Sequence, residues 1–146
     1  MRPLLLLLLA VLLAGPARAE DYRVDGLILQ QPWARATIGN LRMTAGYLVI
    51  ENGTAEPERL LGAASPRAQK IELHSVTDGM MRMESALDIP AGGSLVFAPG
   101  GYHLMLGPLD GPLLEGDRLP VMLTFERAGE ITVEFEVEAA NATAPD

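Results

Sequence analysis

The stretch Val121-Met122-Leu123-Thr124-Phe125-Glu126-Arg127-Ala128-Gly129-Glu130-Ile131-Thr132-Val133-Glu134-Phe135-Glu136-Val137 decides the fold class. Val121, Leu123 and Phe125 alternate with Met122, Thr124 and Glu126. Beyond a turn at Arg127-Ala128-Gly129, Ile131, Val133, Phe135 and Val137 alternate with Thr132, Glu134, Glu136 and Glu138. A side-chain period of two belongs to a strand, and an apolar face backed by a polar one belongs to a half-buried antiparallel sheet. Two such runs across a glycine-containing turn predict a hairpin.

Working outward, 15 glycines and 11 prolines interrupt the chain at short intervals, from Gly39 through Pro99-Gly100-Gly101 to Gly129. Elements between such closely spaced breakers must be short. Further strands are predicted at Tyr47–Glu51, Lys70–His74, Leu95–Ala98 and Tyr102–Leu106. No stretch shows the period of an amphipathic helix, and no internal repeat is present. The expectation is an all-β sandwich or barrel. Residues 139–146, Ala-Ala-Asn-Ala-Thr-Ala-Pro-Asp, read as a flexible tail.

The chain opens on Met1-Arg2 and an unbroken apolar run from Leu4 to Leu13, broken at Gly15-Pro16 and followed by Ala17-Arg18-Ala19. A basic start, an apolar segment too short to span a bilayer and a small-x-small site predict a signal peptide over 1–19, cut after Ala19. The working domain is then 20–138, and the predicted location is a periplasm, with no stable membrane insertion.

The chain carries 11 basic and 19 acidic residues, net −8. Without Arg2 and Arg18, nine basic against 19 acidic residues leave −10. Such a surface repels phosphate backbones and anionic lipid, which argues against nucleic-acid binding and peripheral membrane attachment. There is no cysteine. That excludes disulfides, thiol nucleophiles, thiolate zinc sites, a blue-copper centre and a lipid-modified cysteine.

Chemistry concentrates on histidine and methionine. The chain has two histidines, His74 and His103, and seven methionines, four of them at Met80, Met81, Met83 and Met105. On a strand, His103 and Met105 share a face, and Tyr102, Leu104 and Leu106 share the other. His74 points away from Ile71 and Leu73, and Met81 shares a face with Met83 if that stretch is extended. Two imidazoles with two or three thioethers form a soft, uncharged donor set that favours Cu(I) over oxygen-preferring ions or zinc. Core filling by methionine is the ordinary alternative.

The residues Gln31-Pro32-Trp33-Ala34-Arg35-Ala36-Thr37, Ala45-Gly46-Tyr47-Leu48-Val49-Ile50-Glu51-Asn52, Ile71-Glu72-Leu73-His74, Asp78-Gly79-Met80-Met81-Arg82-Met83 and Pro99-Gly100-Gly101-Tyr102-His103-Leu104-Met105 together resemble the periplasmic copper(I) chaperones of the PCu(A)C type. The resemblance implies a cupredoxin-like antiparallel β-sandwich or Greek-key barrel. It also implies a monomeric, non-enzymatic chaperone delivering Cu(I) to the copper-containing subunit of cytochrome c oxidase, alongside a thiol-bearing assembly factor. The family's ligand motif is His-x10-Met-x21-His-x-Met, and by motif it falls on His74, Met83, His103 and Met105. Here eight residues separate His74 from Met83 and nineteen separate Met83 from His103, each gap two shorter than the family's. Met81, twenty-one residues clear of His103, is the alternative to Met83.

The remaining residues suggest supporting roles. Trp33 is expected on the core and Arg35 in a surface ion pair, with the Gly100-Gly101 turn aiming His103. Met43 is a distant ligand candidate and Met122 a filler. Ser75 beside His74 lacks a matching acid for nucleophilic catalysis. Asp78, Glu84 and Asp88 are expected to be solvated, lending the site's rim a negative potential. Two other classes stay open: a metal-free interaction or adhesion module using its methionines as a contact patch, and a copper redox enzyme.

Overall fold

The computed structural model describes residues 20–146, so the leader expected over 1–19 lies outside the described residues. Among these the chain runs through β1 (Tyr22–Val24), β2 (Leu27–Arg35), β3 (Thr44–Asn52), β4 (Glu58–Ser65), β5 (Ala68–Thr77), β6 (Met80–Glu84), β7 (Leu87–Ile89), β8 (Ser94–Val96), β9 (His103–Leu109), β10 (Arg118–Phe125) and β11 (Gly129–Glu138). None of the described residues forms a helix long and apolar enough to cross a membrane.

The opening hairpin is β10–β11, paired from Arg118↔Glu136 to Phe125↔Gly129. Val121, Leu123, Phe125, Ile131, Val133, Phe135 and Val137 are all buried, as the alternation requires. Each such side chain contributes about 1.5–3 kcal/mol on leaving water. This face meets Leu104 and Leu106 of β9 and Leu60 of β4 in one core.

Seven strands close on themselves in the order β2-β11-β10-β4-β5-β9-β3 and back to β2, a barrel of the cupredoxin-like all-β kind. The pairing is antiparallel throughout except between β2 and β11, which run parallel. Four short strands add at the rims: β1 on β2, β7 on β4, β8 on β3 and β6 on β5.

One of these additions positions the site. A strand has two edges, and β5 gives one of them to β9 from Ala68 to His74. Its other edge pairs with β4 at Ala68 and Ile71, then with β6 from Leu73 to Thr77. The far half of β5 therefore leaves the barrel wall as a two-stranded ribbon with β6. His74 stands where wall becomes ribbon.

Two further contacts qualify the reading of single residues. Trp33 is buried and packs on Tyr47, ring centroids 4.6 Å apart. Arg35 makes no ion pair among the described residues. Its guanidinium lies over the Tyr47 ring, 5.6 Å from the centroid, and its Nε donates to the Ala142 carbonyl. The aromatic face and a carbonyl thus take the place of the expected carboxylate. The second contact half-buries Ala142 against the core, within the tail beyond β11.

Glu58 ties β4 to the β10–β11 turn. Its buried carboxylate accepts the backbone N–H groups of Arg59 (2.9 Å), Arg127 (3.0 Å) and Ala128 (3.0 Å). Burial pushes its pKa up, but these three donors and the nearby Arg127 charge outweigh that and hold it below the ordinary carboxylate value. A depressed folded-state pKa stabilises above the unfolded-state value and is lost as pH falls through the folded one. Glu58→Gln is expected to cost about 1–3 kcal/mol at neutral pH. Urea midpoints of the two proteins should converge as pH is lowered through the acidic range; a constant gap would exclude the charge as the cause.

Candidate metal centre

The ribbon's register is set by its turn. Asp78 (φ +53°) and Gly79 (φ +72°) both adopt left-handed backbone, the conformation of a two-residue type I′ hairpin. Thr77 consequently faces Met80, and counting back along the ladder puts Val76 opposite Met81 and His74 opposite Met83. On the other edge of β5, His74 faces His103 and Glu72 faces Met105. Directly opposed residues of antiparallel strands project to the same face, and so do residues two apart. Met83, His74, His103 and Met105 therefore share one outward face, with Leu73 and Leu104 on the core side beneath them.

The register puts all four sequence candidates on one face of the sheet. Met81 lies on the same face, two residue pairs farther toward the ribbon tip. Met43 lies farther along β9: its sulfur is against Gly107, two residues past Met105 and away from the His74–His103 pair. Met122 sits on β10, paired with Ala64 and Thr132.

The imidazoles lie edge to face, centroids 5.2 Å apart and planes at 74°. Each ring has one nitrogen occupied. His74 Nε2 is 2.8 Å from Glu72 Oε2, and His103 Nδ1 is 3.0 Å from the Gly101 carbonyl. An ionised carboxylate and a carbonyl can only accept, so each ring N–H donates there. In the neutral rings this leaves lone pairs on His74 Nδ1 and His103 Nε2. Those two atoms are buried and have no hydrogen-bond partner, the only such side-chain nitrogens or oxygens among the described residues.

Leaving a buried acceptor unpaired costs about 1–3 kcal/mol. Two of them, on facing residues of adjacent strands, fit a ligand that accepts electron pairs, which is what a metal ion does. Among the described residues no three histidine, cysteine or carboxylate side chains gather around a common point. The thioethers in register with the two histidines are those of Met83, opposite His74, and Met105, two residues beyond His103, with Met81 on the same face nearer the ribbon tip. His74 and His103 are 9% and 7% exposed, whereas Met83 is 70% and Met81 55% exposed. The face thus combines two sheltered imidazoles and a half-buried Met105 with an open Met83.

Glu72 was not singled out by sequence reasoning. Lys70 Nζ donates to its Oε1 at 2.5 Å, and these hydrogen bonds, from Lys70 and then His74, hold its carboxyl below the usual range. The signal was present in Lys70-x-Glu72-x-His74, three polar residues at strand period. The expected acidic rim is distributed differently. Asp88 pairs with Arg59 between β7 and β4, and Glu84 accepts the Ser75 hydroxyl on the opposite face from His74. Ser75 is thereby engaged away from the imidazole, which removes it as a nucleophile for His74.

The family model described as "Putative lipoprotein LpqE-like" matches residues 27–137. The chain belongs to this family. A putative lipoprotein, Lxx21020, from Leifsonia xyli subsp. xyli (strain CTCB07) is 32% identical to this LpqE-like chain over 121 residues, 80% of the chain and 72% of that protein. Solved structures share the fold. The copper-bound PCuAC domain from PmoF2 superposes with a TM-score of 0.74 at 28% identity, covering 82% of this chain and 98% of that domain. The Cu(I) form of DR1885 from Deinococcus radiodurans gives 0.64 at 29% identity, covering 79% and 80%.

If the imidazoles serve a ligand rather than the fold, removing them should leave stability nearly intact. The double variant His74→Leu, His103→Leu is expected to shift the unfolding free energy by less than about 1 kcal/mol in metal-free buffer. Leu104→Ala, next door on the core side, should cost about 2–5 kcal/mol. Chemical denaturation measures both; a double variant as unstable as Leu104→Ala would make the histidines structural.

Proposed function

We propose that this chain is a Cu(I)-binding metallochaperone of the cell envelope, holding its cargo between His74, Met83, His103 and Met105. The observation that carries this reading is the pair of buried, unpartnered imidazole nitrogens on facing residues of β5 and β9. The copper in the names of the PmoF2 and Cu(I)-DR1885 structures supports the choice of cargo, and the lipoprotein names of the family support the envelope.

The donor set argues for Cu(I). Two imidazoles and two thioethers are soft and neutral, while Cu(II) prefers nitrogen and oxygen donors and zinc takes thiolate, imidazole or carboxylate. A site that disfavours one oxidation state suits carriage better than redox turnover, which is the ground for reading the protein as a non-enzyme. Transfer would begin at Met83, which is exposed on a ribbon outside the barrel wall, where a partner's sulfur donor can replace its thioether while the imidazoles and Met105 still hold the ion. For the recipient we propose the copper-containing subunit of cytochrome c oxidase, with a thiol-bearing assembly factor as the intermediate partner.

His103→Ala, Met105→Ala removes one nitrogen and one sulfur. Cu(I) affinity, measured by chelator competition, is expected to fall at least tenfold, which is about 1.4 kcal/mol, with the β-sheet circular dichroism unchanged. Native mass spectrometry should show one Cu(I) on the wild type and a smaller copper-loaded fraction on the double variant at equal, limiting metal. Unchanged affinity would overturn the site; a wild type that takes no copper would favour a metal-free contact module presenting Met80, Met81 and Met83. Mixing copper-loaded protein with the soluble domain of the oxidase subunit tests the recipient separately.

A further inference from the structure

We infer that Glu72 is a positioning residue for the metal centre: its carboxylate locks the His74 ring in the Nε2–H tautomer and in one orientation, so that Nδ1 is always the nitrogen offered to copper. This rests on reading His74 as a ligand and adds a residue that the four-donor motif does not contain.

The geometry is a relay along one face of β5. Lys70, Glu72 and His74 alternate on the strand, so all three project outward together. Lys70 Nζ donates to Oε1 at 2.5 Å and His74 Nε2–H donates to Oε2 at 2.8 Å. With a separate donor on each oxygen, the carboxylate cannot rotate without breaking one of them. The strand register fixes it in a second way, because Glu72 faces Met105 across the β5–β9 ladder. The acceptor that orients one ligand is thus anchored at the rung of another.

The two histidines are oriented by different means. His103 donates Nδ1–H to a backbone carbonyl of its own chain segment, Gly101, at 3.0 Å, so that ring is held by the turn. His74 has only a side chain for this purpose. Without Glu72 its Nε2–H would lose its acceptor, and the ring could turn over or change tautomer, exposing a proton where a lone pair is needed. A histidine that donates its second nitrogen to a carboxylate also becomes a more basic ligand, and loss of such a partner typically costs 10–100-fold in metal affinity.

Two variants separate hydrogen bonding from charge. Glu72→Gln keeps a carbonyl oxygen able to accept Nε2–H, and Glu72→Leu removes the acceptor. Long-range proton–nitrogen NMR of metal-free protein should show His74 as a single Nε2–H tautomer with a slowly exchanging ring proton in the wild type and in Glu72→Gln. That resonance should vanish in Glu72→Leu. Cu(I) affinity should fall tenfold or more in Glu72→Leu and be largely restored in Glu72→Gln. An Nδ1–H tautomer in the wild type, or an unchanged His74 signal in Glu72→Leu, would overturn the proposal. So would equal loss of affinity in both variants, which would make the carboxylate act through its charge. A wild type that binds no Cu(I) would sink the chaperone reading, and the metal-free spectra would still decide the role of Glu72.

Discussion

The register between β5 and its two neighbours is the constraint on which the site depends. Pairing His74 with Met83 on one edge and with His103 on the other lines three donors across three strands in a single row. Met105 follows from its place two residues along β9. None of this requires a special backbone conformation at the donors themselves. Within the ribbon, left-handed backbone is confined to Asp78-Gly79, where a sequence well suited to it sets the count for every pair. Because side chains alternate with period two, a slip of one residue would send Met83 to the opposite face, while a change of two keeps it facing outward.

That parity argument explains how this chain tolerates its altered spacing. It is two residues shorter than the family motif between His74 and Met83. An even shortening at a hairpin tip, one residue from each strand, leaves every inner rung unchanged. Met83 rather than Met81 then occupies the rung of His74, although the second gap in the sequence had left both open. Met81 keeps the same face and stands two residue pairs nearer the tip.

Legibility from sequence followed the regularity of the backbone. The β10–β11 hairpin was readable because its alternation is unbroken over both strands. β2 was not read as a strand: Pro32 sits within it, Gln31 takes a φ of +46°, and the ladder to β3 shifts register between Gln30 and Trp33, so the period of two is interrupted. β4 hid behind Gly62-Ala63-Ala64, residues of poor strand propensity that pair with Thr124, Leu123 and Met122 of β10, and behind a register shift that skips Leu61. β1 and β7, at three residues each, are too short to show a period. The donors were readable from residue type alone, since histidine and methionine are scarce and clustered. Their orienting partners were not, because a glutamate or a glycine carbonyl looks the same in sequence whether or not a ring nitrogen points at it.

Separation of fold from site follows from the same geometry. On β5 and β9 the core-facing residues, Leu73, Leu104 and Leu106, are consecutive with the outward donors, yet the two sets lie on opposite sides of one sheet. The core can therefore be packed to completion without the metal, and the outer face can keep two unpaired nitrogens whose cost is small against the burial beneath them. A carrier needs this arrangement. If folding depended on the cargo, release would unfold the protein and affinity would include the folding energy, as in small metal-nucleated domains. Here the barrel's pairings run through backbone hydrogen bonds and the core-facing side chains, the β5–β9 pair included, so the outward side chains of those strands are left free for a ligand.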